Sequence, residues 1–282
     1  MKGTTKMARA LTISILVGCL ILLGVPHAGH AQGGDVKMVF LGNMGFKFTT
    51  PGGKVILTDP WLKGNADAPI GIEDVDKADL ILVSGAHADN LGDAIELGKK
   101  TGATVIGTNE LVAWMVSQGL DAKQAYGMMQ GGLYQRDGIS VKVVRAVHTA
   151  GITIPGQPTR GYGGESIGFI ITFENGLRLY FSGDTGLFGD MQLFGSLYKP
   201  HVAILSTWGR FMMEPEDGAL ATKFLMTDNP NLKTVIPAHH RIKQQVPGAT
   251  GNPEKVEAEV KKLGLPVGVL NAVPGQTYSL TK

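Results

Sequence analysis

Five side chains able to bind a divalent cation sit just beyond the ends of apolar runs in this 282-residue sequence. His87 and Asp89 follow the run 80–84, within Leu-Ile-Leu-Val-Ser-Gly-Ala-His-Ala-Asp-Asn-Leu-Gly-Asp. His148 follows 141–147, Asp184 follows 179–183 and His239 follows 235–237. A short polar turn at a strand end can aim imidazole nitrogens and carboxylate oxygens at one point, which a metal ion needs and an apolar core does not. Any one such residue is ordinarily a hydrogen-bonded turn residue. The recurrence is informative, because strand ends of an α/β sandwich converge on one edge and can bring together groups far apart in sequence. The chemistry available there is hydrolysis, since a bound zinc ion lowers the pKa of water from about 15.7 to about 7.

The elements that must position these groups are legible from pattern. Apolar, β-rich runs predict strands over 36–41, 46–50, 54–59, 80–84, 104–108, 140–147, 168–174, 177–183, 202–206, 234–237 and 266–269, several continuous enough to be buried on both faces. Helical periodicity covers 93–101, 109–118, 216–226 and 253–263, the last opened by Pro253 and closed by Gly264. Glu174-Asn175-Gly176 between two strands signals a hairpin turn. Hairpins followed by alternating strands and helices predict an α/β fold of two packed mixed sheets flanked by helices.

Residues 1–31 read as a secretory signal peptide, leaving 32–282 as one domain. Lys2, Lys6 and Arg9 precede an apolar stretch from Ala10 to Val25, and small residues lead up to Gln32. An uncleaved anchor and a lipoprotein modified at Cys19 are the alternatives. The apolar run continues past Cys19, which argues against the second. The expected location is periplasmic or extracellular, without stable membrane association once the leader is removed. Of 26 lysines and arginines, these three leave with the leader, against 24 acidic residues in the rest, so the domain is near neutral and offers nucleic acid no basic surface. Cys19 is the single cysteine, so any metal in the domain is held by nitrogen and oxygen donors.

Asp59-Pro60-Trp61, the turn 84–93, Ala146-Val147-His148-Thr149, Gly183-Asp184-Thr185-Gly186 and Ile236-Pro237-Ala238-His239 occur in an order that resembles the metallo-β-lactamase superfamily. The nearest likeness is to a branch of uncharacterised metal-dependent hydrolases related to ascorbate-phosphate lactonase, over residues 36–275. The resemblance implies an αββα sandwich with a metal site at one edge. It also implies His-x-His-x-Asp-His in the first turn, where this chain has Gly85 and Asn90 in place of the first and last imidazole. Carried over, one metal position keeps His87, His148 and Asp184, and a second keeps Asp89, His239 and the shared Asp184. One ion, with zinc expected and manganese or iron as other occupants, is the implied cofactor. Asn90 could offer its amide oxygen, a poor substitute for imidazole.

In the same reading Asp89 is the catalytic general base as well as a ligand, and Asp59 steadies the ligand turn or simply caps the turn before Pro60. Pro155, Pro158 and several glycines after His148 predict an irregular lid or substrate wall over 149–166. Arg160, Tyr162 and Arg210 are candidates to bind an anionic or sugar-like group, and His240 could touch substrate, although a surface position is the plainer expectation. His201 reads as structural. The implied function is an exported metal-dependent hydrolase that cleaves a small ester, lactone or phosphoester through metal-activated water. The alternative is a non-catalytic or metal-impaired descendant that binds a small molecule or partner in the same cleft. β-Lactam hydrolysis fits less well, because the enzymes that perform it retain fuller ligand sets.

Overall fold

The computed structural model describes residues 33–240, 243 and 252–282, so the expected leader lies outside the described residues. Two seven-stranded sheets face each other. The first runs in the order Thr277–Leu280, Val36–Gly42, Gly45–Thr49, Val55–Thr58, Leu80–Leu82, Thr104–Thr108, Ala125–Met128. The second runs Gly268–Val269, Thr234–Ala238, Val202–Ser206, Arg178–Phe181, Ile167–Thr172, Ile139–Arg145, Leu133–Arg136.

Alternation places Val36, Met38 and Phe40 on the inner face, where Phe46 and Phe48 meet Phe181 and Phe173 from the opposite sheet. The central parallel strands Leu80–Leu82 and Val202–Ser206 are buried throughout, because helices cover their outer faces. Leu97, Leu111 and Met115 cover the first sheet; Met191, Phe194 and Leu225 cover the second. The expected αββα sandwich is thus the observed one.

Strand direction is what positions the site. Val55–Thr58, Leu80–Leu82 and Thr104–Thr108 run parallel, as do Arg178–Phe181, Val202–Ser206 and Thr234–Ala238. Ile139–Arg145 is antiparallel to Ile167–Thr172, itself antiparallel to Arg178–Phe181, and so shares their direction. Within each sheet these strands finish along one edge, and the loops beyond them hold the ligand-type residues.

Pattern does not predict the helix Met191–Tyr198, whose exposed Leu193 and Leu197 spread its apolar residues around the axis. Nor does it predict Ala125–Met128, Leu133–Arg136 and Thr277–Leu280, peripheral strands with largely exposed side chains. The stretch 149–166 is less irregular than expected: Gly151–Ile152 and Gly161–Tyr162 pair as a two-stranded ribbon. The hairpin signal at Glu174-Asn175-Gly176 holds, with Gly176 at φ +81° and its N–H donating to the Phe173 carbonyl at 2.8 Å. Pro253 opens its helix as expected, with Asn252 accepting the Lys255 N–H at 3.0 Å. Among the described residues no helix is long and apolar enough to cross a membrane.

Candidate metal centre

The turn after Leu80–Leu82 is tied down at both ends. The Ser84 N–H donates to Asp59 Oδ1 at 2.7 Å, and the Ser84 carbonyl accepts the Ile167 N–H of the other sheet at 2.8 Å. His87 then stands in extended conformation before the four-residue helix Ala88–Leu91. Gly92 ends that helix at φ +47°, where an added Cβ would lie 2.5 Å from the Pro60 carbonyl, so only glycine fits. The Asp93 carboxylate accepts the N–H groups of Leu62 and Lys63 at 2.7 and 2.9 Å.

Asp59 is fully buried and holds the turn rather than capping its own. Besides the Ser84 N–H, its Oδ2 accepts the Ser84 hydroxyl at 2.5 Å and Asn90 Nδ2 at 3.1 Å. Burial pushes the Asp59 carboxyl up to about 8, against the Ser84 and Asn90 donors, which favour its ionised form. Asp59→Asn turns one acceptor into a donor facing these donors. It is expected to cost about 1–3 kcal/mol by denaturant titration and to weaken metal binding about 10 to 100-fold by calorimetry. Unchanged metal binding would show that Asp59 does not position the turn.

His87, His148 and Asp184 each offer a donor atom within 4.8 Å of the others. The two imidazoles meet edge to face at 5.2 Å, and His148 Nε2 lies 3.9 Å from Asp184 Oδ2. On the far side of Asp184, His239 Nε2 is 3.2 Å from Oδ1 and 3.6 Å from Asp89 Oδ2. His87, His148 and Asp184 thus form one cluster, which His239 and Asp89 adjoin.

His239 takes φ +67°, with its N–H donating to the Asn43 carbonyl at 2.8 Å and its ring stacked on Trp208 at 5.0 Å. Asn43, itself at φ +56°, also donates Nδ2 to Asp89 Oδ2 at 3.2 Å. Sequence reasoning missed Asn43 and Trp208. The turn Gly42-Asn43-Met44-Gly45 and the position of Trp208 just past the strand Val202–Ser206 are the signals that point to them.

The electrostatics suit a cation. Burial lowers His87 and His148, more than nearby Asp184 raises them, so both rings stay neutral with lone pairs available at neutral pH. Burial pushes Asp184 up, but His239 and His148 beside it more than offset this and hold the carboxylate below its ordinary range. His239 moves the other way: Asp184 and Asp89 outweigh burial and raise it.

These groups floor a cavity of about 640 Å³. Trp61, Trp208, Phe211 and Met212 form apolar walls, and Arg160 reaches in from the ribbon, with its charge near His87. Three expectations are corrected. Tyr162 is 75% exposed and does not line the cavity, because the ribbon turns it outward. Arg210 lies over the Phe211 ring at 4.9 Å and is not itself among the residues that line the cavity. His240 is buried against Phe40 instead of lying at the surface, and burial pushes its imidazole down to about 4. His201 is structural as expected, its Nδ1 accepting the Arg178 N–H at 3.0 Å.

Known proteins resemble this chain in sequence and fold. Residues 54–240 match the family described as beta-lactamase superfamily domain. A UPF0173 metal-dependent hydrolase of Rubrobacter xylanophilus is 35% identical over 243 residues, covering 86% of this chain and 96% of that protein. Another, of Cupriavidus necator, is 36% identical over 260 residues, covering 88% and 87%. The solved structure of Igni18, a metallo hydrolase from Ignicoccus hospitalis, is similar at TM-score 0.74 and 30% identity, covering 88% of this chain and 100% of that one.

Proposed function

The chain belongs to the beta-lactamase superfamily domain family, in its group of UPF0173 metal-dependent hydrolases, and on that premise we propose an exported enzyme that hydrolyses a small ester, lactone or phosphoester. One observation carries the reading: the donor atoms of His87, His148 and Asp184 meet at the floor of a cavity open to small molecules. The residues present fit a cation. Asp184 Oδ1 is buried without an aligned hydrogen-bond partner among the described residues, a costly arrangement unless a ligand completes it. Two imidazoles and a carboxylate are a three-ligand catalytic set, suited to zinc and acceptable to manganese or iron.

A divalent ion held by His87, His148 and Asp184 would supply Lewis-acid chemistry, lowering the pKa of water toward neutral. Asp89, held by Asn43, would orient a water in the cavity and take its proton. Trp61, Trp208 and Phe211 shield the reacting groups from bulk solvent and pack an apolar substrate body. Arg160 pairs with an anionic group on the substrate. Arg160→Ala is expected to raise KM for anionic esters at least several-fold with little change in kcat, and to spare neutral esters. An equal loss on both would remove Arg160 from the substrate.

Elemental analysis coupled to a hydrolysis panel tests the reading. One ion per chain, with turnover lost in His148→Ala, supports it; protein that takes up no zinc, manganese or iron overturns it. The replacement of imidazoles at Gly85 and Asn90 favours a second reading, a small-molecule binding protein. Metal-loaded protein that retains ligands without turning them over would select that one. Export rests on the leader-like stretch 1–31, and N-terminal sequencing of the cell-derived protein should begin near Gln32.

A further inference from the structure

Resting on the metal-dependent reading, we infer that Asn90 makes the centre mononuclear, closing the second cation position with its amide N–H₂ and supplying Oδ1 where Gly85 has removed an imidazole. Asn90 is 1% exposed, so every polar atom it carries must be accounted for inside the protein.

Its orientation is set by Asp59. Nδ2 donates to Asp59 Oδ2 at 3.1 Å; the flipped amide would lose this bond and set its oxygen against one that already accepts the Ser84 hydroxyl. Asn90 also helps hold the Asp184 carboxylate below its ordinary range, as a donor and not a lone pair does. Its N–H₂ end, the positive end of the amide dipole, is thus the end offered to the carboxyl groups, and the second position would share Asp184. A cation there needs lone pairs and meets donor hydrogens instead. Asp89 and His239 remain beside Asp184, but they pair across 3.6 Å and are joined by no third nitrogen donor from position 90.

The other end of the same amide faces the opposite way. Asn90 Oδ1 is buried with no hydrogen-bond partner among the described residues. It lies 3.5 Å from where a Cβ on Gly85 would stand, and Ser166 Oγ lies 3.4 Å from the same point. That space is the one a histidine at 85 would fill on its way to His87, His148 and Asp184. The two substitutions therefore act as a pair: one vacates a ligand direction, and the other turns an oxygen toward it. An amide oxygen is a harder and weaker donor than imidazole, so the remaining position accepts manganese more readily, relative to zinc, than a three-imidazole site would.

Cobalt(II) titration of the full domain, followed by visible absorption and calorimetry, with zinc and manganese content by elemental analysis, tests this without an activity assay. Wild-type protein should saturate at one ion per chain. Asn90→Ala should keep that stoichiometry and weaken the ion by about 10-fold or more. Asn90→His should admit a second ion. Two ions of similar affinity in wild-type protein overturn the inference and leave the hydrolase reading standing. Unchanged affinity in folded Asn90→Ala overturns the role of Oδ1. Should that variant fail to fold, the wild-type stoichiometry decides the matter alone. Protein that binds no ion brings down the hydrolase reading and this inference together.

Discussion

Asp184→Ala is expected to abolish measurable turnover and to weaken metal binding by more than about 100-fold, beyond the range seen when only an outer partner of a ligand is disturbed. Asp184 touches both halves of the centre, with Oδ2 near His148 and Oδ1 near His239, and it is 2% exposed. Among the described residues no other carboxylate groups with both His87 and His148 within 4.8 Å. The metal-free protein should lose far less stability than the loaded one. With Asp184 gone, His239 still faces Asp89 at 3.6 Å, so no buried charge is left without a counter-charge. Calorimetric melting with and without chelator separates the two losses. Retained stoichiometry and affinity would show that Asp184 is a structural acid.

The same pair predicts a pH dependence. His239 is raised above its ordinary 6.5, so its contribution to metal-free stability is complete below about 6.5 and fades as pH rises through the higher folded value. Asp184 is lowered from 3.8, so its contribution is present above about 3.8 and is lost as pH falls through the lower folded value. The pair thus supports the metal-free protein best between those limits. A cation held by His87, His148 and Asp184 competes with protonated His239 for the Asp184 carboxylate. Stabilisation by added metal, read as the Tm difference between loaded and chelated protein, should therefore grow from pH 6 to pH 8. A flat or falling difference would mean that the ion does not draw on the Asp184–His239 pair.

The second large effect is a gain. Gly85→His combined with Asn90→His is expected to raise metal content from one ion per chain to two. Gly85 lies outside the left-handed region, and a Cβ there meets Ser166 Oγ and Asn90 Oδ1 at ordinary contact distance, so the side chain enters without backbone strain. Histidine at 90 can keep an N–H donor for Asp59 while offering its other nitrogen to an ion. Gly85→His alone should tighten the existing ion, and Asn90→His alone should admit the second. Metal content that stays at one in the double variant would show that these positions do not face the ions as aligned.

Much of the site was legible because its signals are local. His87, Asp89, His148, Asp184 and His239 each follow an apolar run, and a strand that ends in a polar turn identifies itself within about ten residues of sequence. Trp208 obeys the same rule and was overlooked because an indole after a buried strand reads first as core. Asn43 gave a weaker signal: a turn asparagine at positive φ is common, and nothing near it in sequence reveals that its amide reaches Asp89 across 46 positions. Asp59 had two equal readings until its hydrogen bonds to Ser84 and Asn90 chose between them.

By itself the sequence determined the element types, the sandwich and the identity of the donors, since periodicity, turn residues and side-chain chemistry are properties of short stretches. Only the tertiary structure decided which loop residues face the cavity. Arg160 does, while Tyr162 and Arg210 do not, and His240 turns into the core. It also decided which end of the Asn90 amide meets the carboxylates. Such choices depend on contacts between segments brought together by strand order, where a rotation of one side chain exchanges donor for acceptor and solvent for burial.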